Sequence, residues 1–134
     1  MRRIVIASHH RFAAGLRDTL EFIGGDQLGI VDINAYVDET SLDDQIAEVF
    51  AGFDPDDEVL VFTDMMQGSV NQAFQRYIGD KVFVVTGVNV PCALELAVAG
   101  GQLAYEDIAR TVQSARDQLV FMNECISVVD EDDE

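Results

Sequence analysis

A hydroxyl, two imidazoles and a guanidinium stand in a row at Ser8-His9-His10-Arg11, and these are the only two histidines in the chain. An imidazole can act as nucleophile or base when one ring nitrogen keeps its lone pair and the other is held as N–H by a partner. A second polar stretch, Asp64-Met65-Met66-Gln67-Gly68-Ser69, offers that partner. If Asp64 accepts from one ring N–H of His9, the other nitrogen is left free to attack. Each residue also has a plainer reading. A histidine can be a hydrogen-bonded structural residue, and an aspartate after a strand can be a helix cap.

The segments around these stretches say whether they can meet. Ile4 to Ala7 is a short β-branched and apolar run of the kind found in strands buried on both faces. Phe12, Leu16, Leu20 and Ile23 then recur at helical spacing, and Gly24-Gly25 supplies a stop. Leu28–Ile33 reads as a second strand and Leu42 to Phe50 as a helix with Ile46 and Val49 on its apolar side. Phe53-Asp54-Pro55-Asp56-Asp57 is a turn, and Glu58–Thr63 a third strand. A helix over 70–78, a strand over 81–86, a helix from Pro91 to Val98, a helix from Tyr105 to Phe121 and a last short strand at 126–129 complete the chain.

This alternation predicts an α/β fold with an open, doubly wound, mainly parallel sheet and helices on both faces. With strand order 2-1-3-4, the topological switch lies between the first and third strands, where such sheets place ligands. The corners at His9 and Asp64 would then face one crevice. One domain over residues 1–129 and an acidic tail over 130–134 are expected.

Composition narrows the chemistry. At 134 residues and 49% apolar, the chain can bury a core without disulfides or metals. Lys+Arg of 8 against Asp+Glu of 25, a formal charge of −17, argues against nucleic-acid and anionic-membrane partners. No apolar run reaches the roughly 20 residues of a membrane span, and Ser8 to Arg11 interrupts the first run too early for a signal peptide. Cys92 and Cys125 lie in apolar surroundings without CxxC spacing, as expected of reduced, buried thiols in a cytoplasmic protein.

There is no GxSxG elbow, GxxxxGK[ST] loop or GxGxxG turn. Response-regulator receivers share the sheet but need carboxylates after the first strand, where this chain has Ser8-His9-His10. His9 and His10 project in different directions as neighbours, so a two-histidine metal site is not expected. Gly68-Ser69 at the start of the third helix offers close backbone approach and donors for an anion, with Ser8 and Ser69 adding hydroxyls. A phosphoryl group on His9 would meet donors from both corners. Asn89, ahead of Pro91, is either a turn residue or a third wall of the crevice. Arg11 is a surface cation, and Met65 and Met66 are either core filler or a docking surface.

Three stretches together resemble the IIA domains of the mannose family of the sugar phosphotransferase system. They are Ile-Val-Ile-Ala-Ser-His at 4–9, Phe-Thr-Asp-Met-Met-Gln-Gly-Ser-Val-Asn at 62–71 and Gly-Val-Asn-Val-Pro at 87–91, in register over residues 3 to about 129. The resemblance implies that His9 accepts a phosphoryl group from the phosphocarrier protein HPr and passes it to a IIB component, with Asp64 orienting the imidazole. It implies a homodimer whose last strand, here around 125–129, crosses to the partner sheet. No metal and no small-molecule cofactor are expected. Two positions depart from the pattern: His10 stands where the family usually has glycine, and Gln67-Gly68-Ser69-Val70 where it often has Gly-Gly-Ser-Pro. Two other readings follow: a phosphocarrier subunit of a dihydroxyacetone-kinase-type system, whose carrier domain shares this fold, and a non-catalytic regulatory homologue.

Overall fold

The computed structural model describes residues 1–125. The expected last strand at 126–129 and the acidic tail at 130–134 therefore lie outside the described residues.

Four strands form one parallel sheet: β1 (Arg2–His9), β2 (Ile30–Ala35), β3 (Glu58–Thr63) and β4 (Val82–Thr86), in the order β2-β1-β3-β4. The helices are α1 (Phe12–Gly24), α2 (Leu42–Ala51), α3 (Ser69–Phe74), α4 (Val90–Val98) and α5 (Tyr105–Arg116). Because side chains alternate along a strand, β1 feeds two cores. Ile4 and Ile6 pack with Leu60, Phe62 and the apolar faces of α1, α4 and α5. Val5 and Ala7 pack with Val59, Val61 and with Ile46 of α2 and Val70 and Phe74 of α3. Both faces of the central strands are thus covered, which is why they read as continuous apolar runs.

Several boundaries differ from the expectation for local reasons. Asp26–Leu28 close a 3-10 turn and Gly29 adopts φ 67, so β2 starts at Ile30 rather than Leu28 and runs on to Ala35. The buried stripe of α1 is Ala13, Leu16 and Leu20, whereas Phe12 and Ile23 are exposed. α3 is only six residues long and passes into a 3-10 turn at Gln75–Tyr77. α5 ends at Arg116, where the Asp117 N–H folds back on the carbonyls of Ser114 and Ala115. At the far end of the sheet the Arg2 guanidinium donates to the carbonyls of Leu96, Ala99 and Gly101, satisfying the last turn of α4 and the chain beyond it.

Candidate functional site

Parallel pairing decides what meets at the carboxyl edge of the sheet. Ala7 lies opposite Thr63 across the β1–β3 pair, and His9 lies opposite Ala35 across β1–β2. The residues immediately after β2 and β3, Tyr36 and Asp64, therefore converge on His9. This is the crevice at the switch point.

One oxygen of Asp64 holds His9 at two points. Oδ2 accepts from the backbone N–H of His9 at 2.9 Å and lies 2.9 Å from ring Nδ1. Burial pushes the Asp64 carboxyl up, but the hydrogen bonds and charge of His9 outweigh it and leave the carboxyl below the ordinary aspartate range. It is therefore ionised at neutral pH and can only accept, so Nδ1 carries the hydrogen and Nε2 carries the lone pair. The ring is about one-third exposed. Its Cε1–Nε2 edge faces Gly68, where an added Cβ would stand 2.8 Å from Cε1 and 3.5 Å from Nε2. Gly68 has an extended backbone (φ −162), so it is needed there for clearance and not for conformation.

The loop carrying Gly68 is fixed from beneath. Asn71, buried on α3, accepts from the Thr63 hydroxyl at 2.9 Å and donates to the Met66 carbonyl at 3.3 Å. The Met65 N–H donates to Asp64 Oδ1 at 3.0 Å. Ser69, exposed at the first position of α3, pairs its hydroxyl with the Tyr36 phenol at 2.5 Å. The Tyr36 ring lies 5.8 Å from the His9 ring, centroid to centroid, tilted by 38°.

Ser8 is placed otherwise than expected, and Asn89 takes the turn reading of its two alternatives. Ser8 is fully buried; its Oγ accepts from the Ala13 N–H at 2.7 Å and donates to the His10 carbonyl at 3.0 Å. Its only hydrogen is therefore spent on the turn, and it offers no donor to the crevice. The reason lies in α1, whose cap residue Arg11 provides no side-chain acceptor. Ser8 and Asn34, which accepts from the Ala14 N–H at 3.0 Å, satisfy the helix's early donors in its place. Asn89 is likewise a cap and not a wall. It accepts from Cys92 N–H at 2.9 Å and donates to the Ala115 carbonyl at 2.8 Å, tying α4 to α5.

His10 turns the chain into α1 at φ 56, a left-handed conformation that glycine enters freely and that histidine enters more readily than most residues. Its N–H donates to the Ala35 carbonyl at 2.8 Å. Arg11, Met65 and Met66 are exposed. Cys92 is buried, and burial raises its thiol. Cys125 is exposed, contrary to the expectation of two buried thiols, because the segment leading to it, Leu119 to Met122, is itself exposed. Among the described residues no group of three or more His, Cys, Asp or Glu could hold a metal ion, and no helix is long and apolar enough to cross a membrane.

Two residues of the site, Tyr36 and Asn34, are not legible in the sequence. Tyr36 was hidden because the second strand was expected to end at Ile33, which put Tyr36 deep in a loop. Asn34 acts through the α1 backbone and carries no signal beyond its residue type, whereas Asn71 closes the 62–71 stretch but its bonds to the Thr63 hydroxyl and the Met66 carbonyl are set by the fold.

The chain is similar to known proteins of one family. The family profile EIIA-man, described as PTS system fructose IIA component, matches residues 3–113. A protein of Klebsiella pneumoniae subsp. pneumoniae MGH 78578, described as a phosphoenolpyruvate-dependent sugar phosphotransferase system (PTS) permease, is 31% identical over 93% of both chains, with a TM-score of 0.85. The PTS IIA protein associated with the fucose utilization operon of Streptococcus pneumoniae is 26% identical over 93% of this chain and 96% of its own, with a TM-score of 0.73. The mannose/sorbose specific IIA subunit of Enterococcus faecalis shares the fold at 23% identity, TM-score 0.72, over 90% of this chain and 93% of its own.

Proposed function

Since this chain belongs to the EIIA-man family of sugar phosphotransferase system IIA components, we propose that it carries a phosphoryl group on Nε2 of His9, taken from HPr and passed to a IIB component. The observation that carries this reading is the pair of 2.9 Å contacts from Asp64 Oδ2 to the backbone and ring of His9. They fix the tautomer with its lone pair on Nε2, at the edge of the partly exposed ring that faces Gly68. They also place a negative charge behind an imidazole that becomes cationic as it is phosphorylated.

In the forward step the His9 Nε2 lone pair forms a new N–P bond while the N–P bond to the donor histidine breaks and its electron pair returns to that ring. The phosphoryl group passes in line between two protein surfaces, so the chemistry reduces to positioning and to stabilising the equatorial oxygens. Gly68 supplies clearance at the reacting edge, and Ser69 supplies a hydroxyl for those oxygens. An open crevice with exposed Phe12, Met65 and Met66 around it suits transient docking of a protein donor and acceptor.

The proposal includes a homodimer. It is supported by the outer edge of β4, which no strand among the described residues pairs and which borders an apolar groove of about 500 Å³ lined by Val82, Val84, Tyr105, Ile108 and Val112. A strand contributed by a second copy would complete that edge.

Stepwise transfer tests the function. Chain phosphorylated by phosphoenolpyruvate, enzyme I and HPr, then purified, is mixed with a sugar-system IIB protein or with the acceptor subunit of a dihydroxyacetone kinase. Discharge onto IIB is expected; discharge onto the kinase subunit alone would reassign the pathway, and failure to charge would favour the regulatory reading.

A further inference from the structure

Tyr36 stands one residue beyond β2 with its backbone at φ 67, a region that a bulky L residue enters only under strain. Core packing does not hold it there, because the side chain is 57% exposed. What offsets the strain lies across the crevice. The phenol reaches Ser69 Oγ at 2.5 Å, and the ring lies against the His9 imidazole. Strain of this kind, at a residue whose hydroxyl and ring reach Ser69 and the reactive His9, points to a role at the site.

Resting on the carrier reading of His9, we propose that Tyr36 is a positioning residue for phosphoryl transfer, acting through Ser69. The phenol O–H is the more acidic of the two hydroxyls and the aliphatic oxygen the better acceptor, so Tyr36 donates to Ser69 Oγ. Ser69 is thereby left with its own hydrogen to donate, strengthened because its oxygen is already accepting. Gly68, immediately before it, faces the Cε1–Nε2 edge of His9, so Ser69 follows directly on the residue that lines the edge carrying the phosphoryl group. Without the phenol, the Ser69 hydroxyl is free to rotate and must be ordered during the reaction.

Single-turnover transfer from phosphorylated HPr tests it, measured across donor concentration for wild type, Tyr36→Phe, Ser69→Ala and the double variant. Tyr36→Phe keeps the ring beside His9 and removes only the hydroxyl. It should lower the limiting rate about tenfold, the scale of one lost hydrogen bond, and leave the half-saturating HPr concentration unchanged. Ser69→Ala should lose at least as much. The double variant should be no slower than Ser69→Ala, because a residue that acts through another adds nothing once that other is gone. Tyr36→Phe at the wild-type limiting rate, a change confined to the half-saturating concentration, or fully additive losses would each overturn the inference while leaving the carrier reading intact. A wild type that takes no phosphoryl group at all would overturn both.

Discussion

A single carboxylate oxygen, Oδ2 of Asp64, accepts from the backbone N–H of His9 and lies against ring Nδ1, each at 2.9 Å. The first contact positions the end of β1, and the second sets the tautomer. Both depend on Asp64 following β3 directly, and on β3 lying beside β1 in the sheet.

Removing the carboxylate should therefore cost transfer far more than it costs folding. In Asp64→Asn the amide can present N–H to Nδ1, which draws the ring proton to Nε2 and removes the lone pair. The expected loss is about a hundredfold in the rate of phosphorylation, the scale of a lost charge partner at a developing cation. Stopped-flow transfer from phosphorylated HPr, with circular dichroism as the control for folding, measures it. A rate within twofold of wild type would contradict the assigned role of Asp64.

Gly68 makes a separate prediction, because an added Cβ would stand 2.8 Å from His9 Cε1. A contact that short cannot persist, and the partly exposed ring is the group free to move. Gly68→Ala should swing the imidazole away from Asp64 and slow transfer by about tenfold or more, since misplacing a reacting atom by an ångström is costly. Stability should change by no more than about 1 kcal/mol, the scale for sites outside the core. Urea unfolding beside the transfer assay separates the two effects.

Asn71 should behave in the opposite way, as a stability residue first. Asn71→Ala leaves the Thr63 hydroxyl and the Met66 carbonyl without their partner. Leaving buried polar groups unpaired costs about 1–3 kcal/mol, read as a lower midpoint in chemical denaturation. Transfer should fall as well, because the loop that bears Gly68 loses its anchor.

Away from the site, Asp57 links stability to acid. The Arg3 guanidinium beside it at 2.9 Å, then the Asp54 N–H, hold its carboxyl down to about 2, and the chain's terminal ammonium lies 3.2 Å away. An unfolded aspartate titrates near 3.9. A carboxylate with a depressed folded pKa stabilises the fold above its unfolded pKa, and that contribution is lost as pH falls through the folded one. The unfolding midpoint should therefore drop between about pH 4 and pH 2. Asp57→Asn should be less stable at pH 7 and show a shallower drop over the same window. Equal slopes for the two proteins would contradict the linkage.

The strand order and the meeting of His9 with Asp64 were legible in the sequence because both follow from topology. Apolar runs name the central strands, and strand order then decides which corners face each other. Glu58–Thr63 was placed to the residue, being bounded by a proline turn on one side and Asp64 on the other. Polar side chains near backbone turns were not legible in the same way. Ser8 looked like a site residue and Asn89 was open between turn and crevice wall, but each is claimed by the unpaired N–H groups of a helix start. Which acceptor satisfies such donors depends on three-dimensional proximity, which residue type does not report. The 3-10 turn at Asp26–Leu28 displaced β2 by two residues, and that small shift was enough to conceal Tyr36.

The central claim is that His9, and not its neighbour His10, takes the phosphoryl group. Intact-mass spectrometry after incubation with phosphoenolpyruvate, enzyme I and HPr tests it most directly, with wild type, His9→Ala and His10→Ala side by side. The account predicts one acid-labile phosphoryl adduct on wild type and on His10→Ala, and none on His9→Ala. An adduct that survives in His9→Ala, or a wild type that stays unmodified with its cognate HPr, would contradict it.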